Sequence, residues 1–334
     1  MRAVLLNEYG DLRVVLSEVP RPEPKRDEVL LKVEYGGLRW GDIMQCNGYP
    51  AKMIPTPYIL GQEAAGVVEA VGADVQGYRP GQRVVALTSH GGWADYVCVP
   101  ALRLLPVPDH VSLAQALIYP VNLLTAYYAV MVWGKVQPGE SVLLHSAAGG
   151  VGLLALQIMK RRLRDVRVIA LVGNDEKARL VREHGADHVI NYKATDYVTE
   201  VERLVGAKAS GFAVGGAASG GVDVSLNGVS GATLETDPRV IRKRGRWVIY
   251  GWSGGGGVLN TAAFGYDGIT IMPFSSIAWM GTAEHMAGIQ FVGEWLQRER
   301  LLTPTVYPLK EAARALQTLA QGDTIGKVVL QVRS

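Results

Sequence analysis

Cysteine is scarce in this chain, with only Cys46 and Cys98 among 334 residues. So few cysteines exclude a scaffold held together by disulfides, and they indicate a reducing compartment, so we expect a cytoplasmic protein. They are also too few for a structural zinc site, which takes several cysteine or histidine ligands at close spacing. A chain of this length instead suits two domains, each with its own hydrophobic core.

An excess of charge of one sign is also missing. The 34 lysines and arginines nearly balance the 31 aspartates and glutamates, which gives a net charge of +3. Acidic and basic residues are interspersed, so the sequence predicts no nucleic-acid-binding face. The first residues lack the pattern of a signal peptide, and the apolar runs look too short to span a bilayer. We therefore expect a small molecule as the partner, and neither nucleic acid nor a membrane.

What the sequence does contain is a glycine-rich turn near its middle. Residues 142–144 predict a buried strand, residues 146–152 a turn of small residues, and the apolar residues that follow a buried helix. This order is typical of a dinucleotide site, because small residues let the backbone approach a pyrophosphate and the helix N-terminus offers free N–H groups. Ala147, Gly149 and Gly152 occupy the three fingerprint positions, so alanine replaces the first glycine. On its own, the turn also fits a plain strand–helix connection.

A repeating pattern downstream of the turn favours the dinucleotide site. Strands are expected at 167–173, 188–192, 222–228 and 246–251, and helices at 175–184 and 196–205. Alternating strands and helices predict right-handed crossovers and a doubly wound parallel sheet, which is an α/β fold. A ligand of such a sheet binds at the carboxyl ends of the strands. We therefore place the pyrophosphate over four residues of the turn: Ala148, Gly149, Gly150 and Val151.

The two ends of the chain have a different character. Residues 1 to about 118 contain short strand patterns separated by turn residues, which predict a β-rich, partly open barrel. The apolar stretch 113–132 predicts a pair of buried helices with a break at Pro120. We expect the C-terminal tail to fold back onto the first domain, with helices at 284–300 and 309–321 and a strand at 327–332.

A glycine-rich segment, residues 206–221, lies between an expected helix and an expected strand. Its glycines, alanines and serines leave little apolar surface to bury, so we expect a mobile surface loop without a catalytic role. Because this loop precedes a strand, it should lie at the amino edge of the sheet, opposite the expected ligand edge.

Five motifs are informative when taken together: Gly61 to Val68, Gly81 to Val84, Ala147 to Gly152, Gly185 to Tyr192 and Gly326 to Leu330. With them the chain resembles the medium-chain dehydrogenase/reductase superfamily, and within it the zinc-free quinone oxidoreductase branch. The resemblance covers nearly the whole chain. It implies a GroES-like β-rich barrel domain, divided in sequence over 1–118 and 260–334, and a Rossmann domain at 119–259 that binds NADPH.

The same resemblance indicates that zinc is not a cofactor. Zinc-dependent relatives place a cysteine, a histidine and a further cysteine where this chain has Arg39, Gln62 and Val121. Arginine and valine offer no lone pair to the metal, and glutamine is a poor zinc ligand. We therefore expect no metal site, and a zinc-dependent alcohol dehydrogenase is the weakest alternative. His145 lies in the first strand of the cofactor domain, where we expect a buried, hydrogen-bonded core histidine.

The end of the second strand of this domain bears on the choice of cofactor. NAD sites place an acidic residue there to bind the ribose hydroxyls, whereas here Gly173 and Asn174 follow the strand. In the quinone reductases that the chain resembles, residues matching Lys177 and Tyr192 contact the 2′-phosphate of NADPH. Lys177 also fits a plain solvated helix residue. By the resemblance, further cofactor contacts are expected from Thr125, Asn227, Tyr250, Gly251 and Lys327.

The resemblance implies an NADPH-dependent oxidoreductase that transfers a hydride to a quinone or to an α,β-unsaturated carbonyl. Candidate catalytic residues are polar groups expected near the acceptor, namely Asp42, Asn47, Tyr49, Gln62, Asn122 and Tyr128. Tyr128 also fits a core aromatic residue. Family members carry asparagine in place of Arg39 and tyrosine in place of Met44, which leaves room for another acceptor, such as the polyketide-like intermediate of an enoyl reductase.

Two further expectations rest on the resemblance alone. Relatives of this branch include non-catalytic members, so a non-catalytic NADPH-binding protein of the same fold is the alternative to an enzyme. The resembling reductases pair the edges of two Rossmann sheets across a two-fold axis. We therefore expect a homodimer with residues 247–258 as the paired edge, because an apolar edge strand is a liability unless it is paired.

Overall fold

The computed structural model describes residues 1–10, 12–49, 54–208 and 220–333. The chain divides into two compact units, Met1–Val121 with Arg298–Ser334, and Asn122–Gln297. The first unit therefore combines both ends of the chain. The glycine-rich segment that we expect to be a mobile loop lies, for residues 209–219, outside the described residues.

The described part of the first unit begins with short strands and two short helices. Apolar residues alternate with polar ones in several of these strands, which buries one face of each. In chain order the elements are β1 (Arg2–Leu6), β2 (Val14–Glu18), β3 (Glu28–Leu38), α1 (Trp40–Cys46), β4 (Tyr58–Ile59), β5 (Glu63–Val71), β6 (Arg83–Leu87), β7 (Tyr96–Pro100), β8 (Leu104–Pro106) and α2 (Leu113–Ala116).

A single helical run, Leu113–Trp133, takes the place of the expected helix pair. Pro120 does not break this run, because the backbone widens into a π-type turn over Tyr119–Leu123. Contrary to our expectation, the run is long and apolar enough by length and composition to cross a membrane. A core helix passes the same test, and 72% of the apolar window of this run is buried within the protein.

The second unit alternates helices with parallel strands, as the repeating pattern predicts. Its elements are α3 (Leu124–Tyr127), β9 (Ser141–Leu144), α4 (Gly150–Arg162), β10 (Arg167–Val172), α5 (Asp175–Glu183), β11 (His188–Asn191), α6 (Tyr197–Val205), β12 (Val222–Asn227), α7 (Thr233–Val240), β13 (Ile241–Ile249), β14 (Thr270–Pro273) and α8 (Ala283–Arg298).

These strands form a six-stranded parallel sheet in the order β11-β10-β9-β12-β13-β14. From the central strand β9, the chain runs outward through β10 and β11, then returns to the other side of β9 as β12. The strand order reverses between β9 and β12, and open α/β sheets bind ligands at such a switch point, beyond the carboxyl ends of the strands. The carboxyl edge near β9 and β12 is therefore the expected ligand site.

The structure of this sheet corrects the expected edge strand, and the extent of the second unit differs from the expected one. Residues 247–258 do not supply the edge, because β13 pairs with β12 on one side and with β14 on the other. The expected edge is wrong because Thr270–Pro273 form a further parallel strand, β14, on the outer side of β13. The second unit continues to Gln297, whereas the sequence placed the end of the Rossmann domain at residue 259.

The C-terminal tail returns to the first unit with β15 (Thr305–Pro308), α9 (Ala312–Ala320) and β16 (Val328–Gln331). β16 pairs with β3, which extends one sheet to the order β15-β16-β3-β5-β6-β8, and β7 pairs with β3. A smaller sheet has the order β2-β1-β4. Apolar side chains of β3, α9 and β16 share one core with Trp93 and Leu60. The tail therefore closes the β-rich unit, although α8 belongs to the other unit.

Candidate functional site

The glycine-rich turn follows β9 at the centre of the parallel sheet. Ser146 has a φ of +50°, and Gly149 caps α4 in an extended conformation. A Cβ on Gly152 would lie 2.3 Å from the carbonyl oxygen of Ser146, so only glycine lets the helix pack this closely on the turn. The first N–H groups of α4 therefore open onto small residues, which is the geometry of a pyrophosphate cradle. Gly149, Gly150 and Val151 are half-buried, whereas Ala148 is buried.

The end of β10 carries a second group of candidate residues. Asn174 caps α5, and its side-chain oxygen accepts the Lys177 N–H at 2.9 Å. A Cβ on Gly173 would lie 2.9 Å from the Tyr192 hydroxyl oxygen, so this hydroxyl lies directly against Gly173. Lys177 is only 9% exposed, so it is not the plain solvated residue that the sequence also allowed. The structure thus brings Gly173, Asn174 and Tyr192 together.

Sequence reasoning missed Lys193 at this place. Its Cε lies 3.4 Å from the position that a Cβ of Gly173 would take, and its side chain is exposed. The only sequence signal is its position directly after Tyr192, at the end of a strand. The Lys193 side chain therefore lies at the same place beside Gly173 as the Tyr192 hydroxyl.

Asn227, at the end of β12, is fully buried and has its side-chain amide occupied by the protein. Its nitrogen donates to Thr233 Oγ1 at 2.8 Å and to Asp237 Oδ2 at 2.9 Å. Its oxygen accepts the N–H groups of Val229 and Ser230. Asn227 therefore shapes the loop after β12, and contact between its side chain and a cofactor stays a prediction.

Asp237 is the centre of a buried polar network that sequence reasoning missed. Besides Asn227, its carboxylate accepts hydrogen bonds from Ser225, from the Tyr197 hydroxyl and from His145 Nε2. Burial alone would raise the pKa of Asp237, but His145 and the hydrogen bonds hold it below its usual value. His145 is 2% exposed and hydrogen-bonded, which confirms the expected core histidine. No pattern in the sequence links positions so far apart.

The loop after β13 adds an orphaned polar atom to this edge. The Tyr250 hydroxyl is buried and has no hydrogen-bond partner among the described residues. Its ring lies against Gly228, where a Cβ would meet the ring at 2.7 Å. The Ser230 hydroxyl donates to the carbonyl of Gly251 at 2.7 Å, which ties the loops after β12 and β13 together. This edge therefore combines a turn of small residues with a hydroxyl that lacks a partner. Both features fit a dinucleotide ligand, whose polar groups could bond to the hydroxyl.

Three candidate residues lie on the part of the helical run that belongs to the second unit. Asn122 and Thr125 are buried, and the Thr125 hydroxyl donates to Ser276 Oγ at 3.2 Å. Tyr128 is fully buried, its hydroxyl lacks a partner among the described residues, and its ring packs edge-on against Phe274. Burial raises the pKa of Tyr128 to about 12. This environment is that of the core aromatic residue that the sequence also allowed.

The remaining candidate catalytic residues lie around α1 in the first unit. Asp42 is fully buried and accepts the Arg39 N–H at 2.9 Å. Burial raises the pKa of Asp42 to about 6, and the charge of Arg39 opposes this rise. Gln62 is half-buried, Asn47 caps the end of α1, and Tyr49 is 54% exposed. The side chains of Gln62 and Arg39 both lie beside Gly41.

Lys327, an expected cofactor contact, forms a buried ion pair with Glu63 in the first unit. Both side chains are almost fully buried, with exposures of 1% and 0%. The second carboxylate oxygen of Glu63 has no partner among the described residues. The ammonium of Lys327 is therefore engaged by the protein itself, and its contact with a cofactor stays a prediction.

Neither unit shows a group of metal ligands in its described part. No cluster of three or more His, Cys, Asp or Glu residues that could hold a metal ion occurs within 1–10, 12–49, 54–208 and 220–333. At the positions that correspond to zinc ligands, the donor set is Arg39, Gln62 and Val121, which does not suit zinc.

Two family models match the chain. The model described as "Zinc-binding dehydrogenase" matches residues 150–291, and the model described as "Alcohol dehydrogenase GroES-like domain" matches residues 25–109. The two matches fall in the second and the first unit, respectively. They confirm the expected α/β fold, with a GroES-like unit and a Rossmann-type parallel sheet.

Individual proteins give the same result. The synaptic vesicle membrane protein VAT-1 homolog of Rattus norvegicus is 32% identical over 75% of this chain, which spans only 59% of that relative. A mycobacterial protein solved with NADPH is 29% identical, with a TM-score of 0.88 over 99% of this chain and 100% of that one. The quinone oxidoreductase of Escherichia coli, solved with NADPH, is 26% identical with a TM-score of 0.87 over 99% and 100% of the two chains. The chain belongs to the medium-chain dehydrogenase/reductase superfamily, in the branch of the quinone oxidoreductases and VAT-1 proteins.

Proposed function

We propose that this protein is an NADPH-dependent, zinc-independent oxidoreductase that reduces a quinone or an α,β-unsaturated carbonyl. The observation that carries this proposal is the carboxyl edge of the parallel sheet. There a turn of small residues leads into α4. Gly173 and Asn174, and no acidic residue, directly follow β10, and the Tyr192 hydroxyl lies against Gly173. The two related structures solved with NADPH support the same cofactor.

The residues that would hold the cofactor follow from this edge. Ala148 to Val151 would bind the pyrophosphate through backbone N–H groups, and Tyr192 with Lys177 would bind the 2′-phosphate. The Tyr250 hydroxyl and Gly251 would line the neighbouring loop. When bound, NADPH supplies the hydride, and the protein orients it and excludes water.

The acceptor side of the proposal rests on the residues around α1. Arg39, Gln62 and Val121 replace the zinc ligands of zinc-dependent relatives. These residues do not suit a zinc ion that would polarise the carbonyl of the acceptor. Asp42, Tyr49, Gln62, Asn122 and Tyr128 stay the candidate catalytic groups. Tyr49 is the most exposed of them and Asp42 and Tyr128 are fully buried, so Tyr49 and Gln62 are better placed to meet a substrate.

An acceptor screen tests this function. The purified protein is mixed with NADPH and a panel of quinones, enones and enoyl thioesters, and the loss of nicotinamide absorbance is followed. Turnover of quinones or simple enones supports the proposal, whereas turnover of enoyl thioesters alone favours an enoyl reductase. Binding of NADPH without turnover of any acceptor favours the non-catalytic alternative.

Oligomeric state and compartment belong to the proposal as well. We propose a cytoplasmic homodimer, now with β14 as the strand that pairs across the two-fold axis, because β14 ends the parallel sheet. Light scattering at micromolar concentration should give twice the chain mass of 36.0 kDa. A monomer mass would contradict this part alone.

A further inference from the structure

Arg39 lies in the connection between β3 and α1, with an extended backbone whose N–H is bonded to Asp42. Its side chain folds beside Gly41, where a Cβ would lie 3.4 Å from Arg39 Nε and 3.1 Å from Gln62 Oε1. A guanidinium and a side-chain amide thus lie on the same side of a residue that has no side chain. A side chain at position 41 would crowd both groups, so glycine lets the guanidinium and the amide lie close to the backbone there.

The guanidinium of Arg39 has no counter-ion among the described residues. Arg2, Arg21 and Arg26 of the same unit each form an ion pair with a carboxylate, whereas Arg39 forms neither an ion pair nor a side-chain hydrogen bond there. Its Nε is also shielded from solvent. Leaving a buried N–H without an acceptor is unfavourable, so an unbonded donor of this kind calls for a ligand or another explanation.

The nearby carboxylates, Asp42 and Glu63, make no hydrogen bond to the guanidinium of Arg39. Asp42 bonds to the backbone N–H of Arg39 and not to its guanidinium, and the pKa of Asp42 is raised to about 6 by burial. The negative charge of Glu63 is taken up by Lys327. Below about pH 6, where Asp42 is protonated, the cluster keeps one uncompensated positive charge on Arg39; above it, the Asp42 carboxylate still makes no hydrogen bond to the guanidinium.

We propose that Arg39 binds a carboxylate carried by the acceptor, so that the natural acceptor is an anionic quinone or enone. A guanidinium presents paired N–H donors that match a carboxylate, and its rigid fork orients the bound group. The Gln62 amide beside it offers a further polar contact. This inference rests on the proposed function, because it names the class of acceptor that the proposed reductase takes.

The test compares two acceptors that share one ring system, a naphthoquinone carboxylate and its methyl ester. The measured quantity is the ratio of kcat/KM for the acid to that for the ester. Arg39→Gln keeps the length and polarity of the side chain and should lower this ratio at least about tenfold, mainly through KM. Arg39→Lys keeps the charge but not the paired donors of the guanidinium. Its ratio should lie between those of the unmodified protein and Arg39→Gln. Arg103→Gln removes an exposed arginine of the same unit and should leave the ratio within about twofold.

Two results would overturn the inference. One is an equal loss for both acceptors in Arg39→Gln, and the other is a loss of NADPH affinity with an unchanged ratio. If the unmodified protein turns over neither acceptor, the proposed function fails, and binding decides on Arg39. Quenching of tryptophan fluorescence, to which the adjacent Trp40 contributes, should then show weaker binding of the acid in Arg39→Gln with unchanged binding of the ester. Equal binding of the acid to both proteins would reject the inference.

Discussion

His145 Nε2 lies 2.9 Å from Asp237 Oδ1, and both side chains are buried in the second unit. His145 directly precedes the glycine-rich turn, and Asp237 also bonds to Ser225 and Asn227 at the end of β12. One carboxylate therefore joins the two strand ends on either side of the switch point. We therefore expect this carboxylate to order the proposed cofactor edge.

Asp237→Asn should weaken the binding of NADPH and NADH alike, by about tenfold. An amide in place of the carboxylate turns one acceptor oxygen into a donor that faces two other donors. Calorimetry well below the unfolding temperature measures the effect. The matched control is Asp223→Asn, at the other end of β12, where Asp223 bonds to Ser141 and Arg242. It should lower Tm, yet change the cofactor affinity less than about threefold; equal losses of affinity in both variants would contradict this role of Asp237.

Gly152→Ala should disrupt the pyrophosphate cradle. The added methyl group meets backbone atoms of Ser146 and Ala147 at 2.3 and 2.8 Å, so the turn must move. We expect a lower Tm and at least about tenfold weaker binding of both nicotinamide cofactors. Gly293→Ala in α8 is the control, since a Cβ there meets nothing within 4 Å; it should stabilise the protein by up to about 1 kcal/mol. Unchanged affinity in Gly152→Ala would show that the cradle lies elsewhere.

The preference for NADPH over NADH should depend on Tyr192 and its neighbouring lysines. Loss of one charged contact to the 2′-phosphate costs about 1.5–3 kcal/mol. Tyr192→Phe, Lys177→Ala and Lys193→Ala should each weaken NADPH and leave the Kd of NADH nearly unchanged. Lys310→Ala, an exposed lysine of the other unit, serves as the charge-matched control. If Lys193→Ala alone has no effect, then the cation that sequence reasoning identified, Lys177, supplies the contact.

Asp42 should make the protein less stable as the pH rises from about 4 to about 6. Its pKa is raised to about 6, so the folded protein holds this proton more tightly than the unfolded chain does. At pH 7.5 the buried charge costs roughly 3 kcal/mol at most. Asp42→Asn keeps an acceptor for the Arg39 N–H, and it should raise the free energy of unfolding in urea at pH 7.5 but not near pH 4.

Asp95 provides a control of opposite sign for this pH dependence. The hydrogen bonds and charge of Arg2 outweigh burial and hold the pKa of Asp95 below its usual value. Asp95→Asn should therefore lower stability at pH 7.5, and its effect should fade as acid protonates the carboxylate. An Asp42→Asn variant that is less stable at both pH values would contradict the proposed cost of the buried charge.

Sequence reasoning predicted the elements whose patterns are long and local. The glycine-rich turn, the alternation around β9 to β12 and the return of the tail strand to the first unit all follow from local periodicity. β2 and β4 were not expected, because β2 has little buried surface and β4 spans only two residues. β14 was missed for the same reason, and with it the true edge of the sheet.

The candidate site was predicted less completely than the fold. Small residues that let backbones approach leave a local signature, so Gly149, Gly152 and Gly173 could be found. The partners of Asp237, the burial of Lys327 against Glu63 and the missing counter-ion of Arg39 arise from residues far apart in the chain. Such contacts depend on tertiary packing, which local sequence patterns do not predict.

The central claim is that this protein is an NADPH-dependent reductase that needs no zinc. The most direct measurement is the rate of nicotinamide oxidation with a quinone acceptor, taken with NADPH and with NADH, before and after treatment with a zinc chelator. We predict turnover with a clear preference for NADPH, mainly through KM, and no change after chelation. Equal rates with both cofactors, or activity that chelation removes and zinc restores, would contradict the account.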